Sequence, residues 1–235
     1  MVDRYFLPQF PDDELCELAG SEFHHLAHVM RGNPGDRLIV FDGQGTEADA
    51  EIIRLSKTSA ALRLVARRSE SPQTGPQIVL AASIPKSDRF RWLVEKATEL
   101  GVARLIPLQT TRSVVAPGAV KLDKMRQAVI EACKQSGRNR LMRIEPLTQW
   151  REFVSVVIPT AASLIADPNG LPLPDVAKSW AKNGSVLLAV GPEGGFTETE
   201  LREAIEAGAQ TVSLGSRILR IETAAIALAA VFSLK

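Results

Sequence analysis

From residue 78 onward, short β-branched apolar runs alternate with segments of helical apolar period, and this alternation constrains the fold more than any other feature. Residues 78–84, 102–108, 142–144, 163–166, 186–190 and 211–214 read as strands. The helix after the first of them, which Ser87 or Asp88 can cap, places Phe90, Leu93, Val94, Ala97 and Leu100 on one face and stops at Gly101. Residues 121–136 form a second helix whose stripe is Leu122, Met125, Val129, Ala132 and Cys133, ended by Gly137. That stripe assigns Cys133 to core packing. Thr197 and Glu200 have the spacing of a capping box, opening a helix that runs to Gly208. Residues 222–234 are apolar on nearly all sides, as a buried helix requires. Successive strands joined through helices pair in parallel, so an α/β fold with a mostly parallel sheet is expected here.

The first seventy residues follow another grammar. Only residues 21–31 look helical, with Phe23, Leu26, Ala27 and Met30 spaced for one face. Turns at 33–36 and 42–45 flank a strand at 37–41, and two further strands are expected at 48–55 and 60–65. A unit of this size with short strands and tight turns predicts a small barrel or compact sheet. Residues 69–76, Ser-Glu-Ser-Pro-Gln-Thr-Gly-Pro, lack an apolar period and read as a linker. The expected division is therefore 1–70, a linker at 71–76, and 77–235.

With 45% apolar and 23% charged residues among 235, the composition is that of an ordinary globular protein. No apolar run approaches the ~18 residues of a membrane span. No signal peptide is expected from Met-Val-Asp-Arg-Tyr. Two cysteines make neither a disulfide framework nor a metal cage, so a cytoplasmic location is the expectation. The net charge of +1 hides an asymmetry: residues 1–70 carry −4 and residues 71–235 carry +5. Within 112–143, eight basic side chains face only Asp123 and Glu131. Such a patch suits either a polyanion or a solvated helix face.

Two loops carry the chemistry. Gly191-Pro-Glu-Gly-Gly-Phe196 and Leu214-Gly-Ser-Arg-Ile-Leu-Arg-Ile-Glu-Thr-Ala224 each follow a strand and precede a helix. In open α/β sheets such loops lie where ligands bind, and glycines let main-chain groups approach closely. A P-loop would need Gly-Lys-Ser/Thr, yet no lysine lies in 183–234, and Glu193 would repel phosphate. The dinucleotide spacing Gly-x-Gly-x-x-Gly is also absent. A hydroxyl-rich or cationic ligand fits better. In the second loop, Arg217, Arg220 and Glu222 alternate with Ile218, Leu219 and Ile221. This pattern can line a pocket for a flat ring, or Arg220 and Glu222 can simply form a structural salt bridge. His24 and His28 share a helix face at metal-ligand spacing, but no third ligand is nearby and no metal site is expected. No Gly-x-Ser-x-Gly elbow is present, and all three histidines precede residue 30, which excludes a serine hydrolase reading.

Together the two loops resemble those of the RsmE family of ribosomal RNA methyltransferases. Glu95-Lys-Ala-Thr-Glu-Leu-Gly101, Glu131-Ala-Cys-Lys-Gln-Ser-Gly-Arg138, Phe23-His-His-Leu26 and Val29-Met-Arg31 add collinear matches over nearly the whole chain. The resemblance implies a PUA-like β-barrel domain that binds RNA, followed by a SPOUT-class methyltransferase domain with a C-terminal trefoil knot. It also implies S-adenosylmethionine as cofactor, a homodimer, and methylation of N3 of a uridine in 16S rRNA of the small ribosomal subunit. Where many relatives have threonine, this chain has Ile221.

Carried onto this sequence, the resemblance places the cofactor against Gly191, Pro192, Glu193, Gly194, Gly195, Leu214, Gly215, Ile218, Leu219 and Thr223. Leu214, Ile218 and Leu219 would contact the adenine. Arg220 would stabilise the uridine imide anion, and Glu222 would accept its proton or orient Arg220. RNA as substrate turns the basic patch into phosphate contacts at Arg112, Lys134, Arg138 and Arg140, with Arg31 from the N-terminal part. The alternatives are a SPOUT enzyme acting on another RNA site and a non-catalytic RNA-binding assembly factor.

Overall fold

The computed structural model of the chain describes residues 2–11, 13–69, 76–86, 88–114, 122–179 and 184–233. The chain divides into two compact units, one made of residues 1–72 with 130–141, the other of 73–129 with 142–235. Most of the linker expected at 71–76 lies outside the described residues, as do Lys121 and Ser87.

In the first unit, β1 (Arg4–Phe6), β2 (Leu15–Ala19), β3 (Arg37–Phe41), β4 (Thr46–Leu55) and β5 (Ser59–Ser69) form one sheet in the order β1-β3-β4-β5-β2. Only β1 and β3 run parallel. Alternation drives the packing: Ala48, Ala50 and Ile52 of β4 point inward with Leu62 and Leu64 of β5. They meet Tyr5, Leu18, Phe23 and Leu26 in one core. The helix expected over 21–31 is α1 (Gly20–His24) followed by a single π-helical turn, His25–Val29. It ends where Arg31 turns left-handed at φ 56°. Strands β1 and β2 lack a clear pattern in the sequence because each is short and flanked by Pro or acidic residues.

Every strand pairing in the second unit is parallel. Its strands are β6 (Gln77–Ser83), β7 (Arg104–Gln109), β8 (Arg143–Ile144), β9 (Thr148–Gln149), β10 (Ala162–Pro172), β11 (Ser185–Val190) and β12 (Gln210–Ser213). Their order is β12-β10-β11-β6-β7-β8, with β9 also on β7. The helices are α2 (Arg89–Glu99), α3 (Leu122–Ser136), α4 (Trp150–Glu152, continued by a π-helical turn, Phe153–Val157), α5 (Leu173–Ser179), α6 (Glu198–Glu206) and α7 (Ile221–Ser233). The last seven residues of α3 belong to the first unit.

Both faces of this sheet are covered, which is why β6 and β11 are buried along almost their whole length. One face buries Val79, Ile106, Leu108, Leu187 and Ala189 against Trp150, Phe153, Phe196 and Ala204. On the other, α7 packs on β6, β11 and α2. Gly101 and Gly137 end α2 and α3 at φ 79° and 78°, the left-handed geometry their positions predict. Asp88 precedes α2 but makes no side-chain cap, contrary to expectation; its φ and ψ (−70°, −5°) are already helical.

Strand β10 runs six residues beyond the expected 163–166. It pairs with β12 at Leu164–Ala166, breaks register, and pairs again at Leu171 and Pro172. Gly170 makes this possible: a Cβ there would lie 2.5 Å from the Val212 nitrogen. The backbones of β10 and β12 approach too closely for any side chain.

Candidate active site

The carboxyl ends of β10, β11 and β12 lie on one edge of the sheet, because the three strands are adjacent and parallel. The glycine loop leaves β11 and the second loop leaves β12, with β10 between them. Two inter-strand spacings separate the loop origins by about 10 Å, the width of a crevice for a nucleoside-sized ligand.

Local interactions shape the glycine loop. The Gly195 N–H donates to Pro192 O at 2.8 Å, closing a turn, and Gly195 takes φ 68°. Phe196 folds back under Gly191, where a Cβ would lie 3.0 Å from the ring. Arg112 braces the loop from β7, its Nη1 donating to Gly194 O at 2.6 Å and to Phe196 O at 3.5 Å. Beyond it, the capping box forms as the spacing predicts. Thr197 Oγ1 accepts from Glu200 N at 3.2 Å, and Glu200 Oε2 accepts from Thr197 N at 2.8 Å. The other oxygen, Oε1, accepts from Thr111 N at 2.8 Å and ties α6 to the end of β7.

The second loop is open. Gly215 sits at φ 109°, and its N–H donates to Ser213 Oγ at 3.3 Å. Ile218 is 91% exposed, while Leu214 and Leu219 are half-buried. Arg217 and Arg220 point their side chains to solvent, and Thr223 is exposed in the first turn of α7. Pro192 and Gly191 are buried, and Glu193 and Gly194 are exposed.

Glu222 is the exception. Its side chain is 9% exposed, in the first turn of α7, where the helix dipole favours an anion. It does not pair with Arg220. Arg89 supplies the cation instead, with Nη1 3.5 Å from Glu222 Oε1 and Nη2 3.6 Å from Glu193 Oε1. Glu222 Oε2 is buried with no hydrogen-bond partner among the described residues, and so is Ser83 Oγ at the end of β6. Sequence reasoning missed Arg89. The available signal was a cation in the first turn of a helix, where the dipole disfavours it unless an acid waits nearby.

The expected phosphate contacts divide. Lys134 is paired within the protein: its side chain is only 9% exposed, and Nζ lies 3.2 Å from Glu22 Oε2 and 5.5 Å from the Tyr5 ring centroid. Its charge is neutralised inside the first unit. Arg112 spends donors on the glycine loop. Arg31 and Arg140 are exposed and Arg138 is half-buried. The His24 and His28 rings lie 4.7 Å apart with their planes tilted by 48°, and among the described residues no cluster of three metal-ligating side chains occurs. No helix of the described residues is long and apolar enough to cross a membrane. A cavity of about 850 Å³ beside α4 and α6 is lined by residues such as Gln109, Gln149, Trp150 and Thr199, and by none of the expected cofactor residues.

Residues 72–233 match the model of an RNA methyltransferase domain, and residues 18–65 that of an RNA methyltransferase PUA domain. Ribosomal RNA small subunit methyltransferase E of Bacillus subtilis is 31% identical over 95% of this chain and 93% of its own. The chain belongs to the ribosomal RNA small subunit methyltransferase E family. The family member from Neisseria gonorrhoeae, solved bound to S-adenosyl methionine, superposes with a TM-score of 0.87 at 33% identity, covering 98% of this chain and 95% of that one. A Legionella pneumophila protein solved with the same cofactor gives a TM-score of 0.88 at 30% identity, covering 100% and 98%. The fold is thus the mixed α/β one of this family, a PUA domain with a parallel-sheet methyltransferase domain.

Proposed function

We propose that this chain transfers the methyl group of S-adenosylmethionine to N3 of a uridine in 16S rRNA of the small ribosomal subunit. The observation that carries the reading is the pairing of two backbone-rich loops on either side of β10 with a buried carboxylate whose second oxygen has no partner among the described residues. The residues present fit the cofactor. Gly191–Gly195 and Leu214–Gly215 bring main-chain groups to the same edge of the sheet, and the exposed Ile218 with Leu219 offers an aliphatic surface for a flat ring. Pro192, Glu193 and Thr223 complete that cradle. When bound, the cofactor supplies an electrophilic methyl group on a sulfonium centre.

The chain's own residues then manage the proton. Uridine N3 is a weak acid and a poor nucleophile while protonated. Glu222 Oε2 accepts the N3 proton as the N3–C bond forms and the S–C bond breaks, and the neutral thioether leaves. Arg220, free to swing from solvent, stabilises negative charge on the flanking carbonyl oxygens. Arg31, Arg138 and Arg140 contact phosphates, and affinity then falls steeply with salt. Family resemblance further supports a homodimer, a C-terminal trefoil knot, a cytoplasmic location, and domains spanning 1–70 and 77–235.

The test incubates purified protein with small ribosomal subunits and methyl-labelled cofactor, then maps the modified base. Label at N3 of one uridine in 16S rRNA is expected. Label at another base or RNA, or none despite cofactor binding, overturns the reading.

A further inference from the structure

We infer that Arg89 is the positioning residue that aims Glu222, and that it does so by tying three strand–helix turns together through one guanidinium. Its Nε donates to Lys86 O at 3.2 Å, within its own turn between β6 and α2. Nη2 reaches Glu193 in the turn between β11 and α6, and Nη1 reaches Glu222 where β12 passes into α7. Each nitrogen of the fork therefore addresses a different loop of the site. A lysine, as a point charge, cannot hold three directions at once.

The engaged oxygen of Glu222 matters most. Arg89 reaches Oε1 at 3.5 Å, and α7, which carries Glu222, packs against β6 and α2, so the carboxylate sits beside the guanidinium. Oε2 is left buried and without a protein partner. A buried, unsatisfied carboxylate oxygen costs a fold stability unless something donates to it in use. In the proposed reaction that donor is the uridine N3–H, which reaches Oε2 once the largely exposed residues 215–220 move aside as substrate binds. Without Arg89, Glu222 would be a buried anion without its ion-pair partner. The Glu193 pair is different. Its carboxylate is 41% exposed, so that arm is screened and fixes the loop's position more than its energy.

The inference rests on the reading of Glu222 as proton acceptor, and the experiment separates the two. Methyl transfer to small subunits is measured at saturating cofactor and RNA for Arg89→Met, Arg89→Lys, Glu222→Gln and the Arg89→Met/Glu222→Gln pair. S-adenosylmethionine affinity is measured on each by calorimetry. Removing the acceptor lowers kcat about 10²–10⁴-fold, and Arg89→Met lowers it about 10–100-fold. The double variant should match Glu222→Gln alone, because the Glu193 arm is screened and the effect on kcat runs through Glu222. Arg89→Lys should recover part of the loss, and cofactor affinity should stay within about threefold, the range of a screened pair. Losses that multiply in the double variant overturn the inference. So does unchanged kcat in Arg89→Met, or a cofactor affinity that collapses while kcat at saturation holds. Wild-type turnover by Glu222→Gln instead refutes the acceptor role itself.

Discussion

Replacing Glu200 by glutamine should detach α6 from the end of β7 while leaving side-chain shape unchanged. Both carboxylate oxygens accept backbone N–H groups at 2.8 Å, one from Thr197 and one from Thr111, and the residue is 3% exposed. Glutamine has one acceptor oxygen, so its NH₂ must face one of those N–H donors. One charge-assisted bond, about 1.5–3 kcal/mol, is lost outright, and the survivor becomes a neutral bond of about 0.5–1.5 kcal/mol. The lost favourable charge in the first turn of α6 adds about 0.3–1 kcal/mol. Partial access of water to the Thr111 amide offsets some of this, so a net loss of about 2–3 kcal/mol is expected. Trp92 and Trp150, the tryptophans among the described residues, lie in the second unit, so tryptophan fluorescence during urea unfolding reports on that unit. With a urea slope of roughly 2 kcal/mol/M, the midpoint should fall by about 1 M or slightly more. A shift below about 0.3 M, or an equal shift for Glu206→Gln on the exposed end of the helix, would refute the two-acceptor argument.

Other perturbations probe the remaining supports. Gly170→Ala inserts a Cβ 2.5 Å from the Val212 nitrogen, and two backbones must part to accept it. A destabilisation of about 1–3 kcal/mol is expected, with faster amide exchange at Val212; an unchanged melting curve would contradict the close approach. Burial alone would raise the pKa of Glu47, but hydrogen bonds from Arg4 and Arg68 outweigh it and hold the carboxyl below its usual range. Its contribution is therefore full above the unfolded value near 4.5 and lost as pH falls through the lower folded value. Arg4→Met should move acid-induced exchange of β4 amides to higher pH, and an unmoved acid profile would count against the ion pair.

Elements written by neighbouring residues were readable in advance. The capping box at Thr197 and Glu200, the helix ends at Gly101 and Gly137, and strand β3 all depend on contacts a few residues apart. The two loops were legible for the same reason, as breaks between an apolar run and a helical period. Their nearness was not, since it depends on β10 lying between β11 and β12, which local patterning does not encode. Partnerships across long separations were equally hidden. Arg89 and Glu222 are 133 residues apart, and Lys134 and Glu22 are 112 apart. A lysine in a basic run looks solvated until the fold brings an acid to it. Gly170 carries no signal in the local pattern because its reason is a backbone from another strand.

Strand β10 also sets a timetable for the nascent chain. Both of its neighbours, β11 and β12, are made after it, and the last residue of β12 follows the last of β10 by about forty positions. At ~5–20 residues per second of synthesis, an apolar strand waits ~1–4 s for β11 with neither edge paired, and ~2–8 s before β12 can cover its second edge. During that interval Leu164 and Ile165 are exposed to whatever the crowded environment offers. The Asp167-Pro-Asn-Gly170 stretch that follows them carries a charge and a proline, two features that discourage a foreign strand from adding on. The same irregular segment that later lets β10 meet β12 thus guards it until β12 exists.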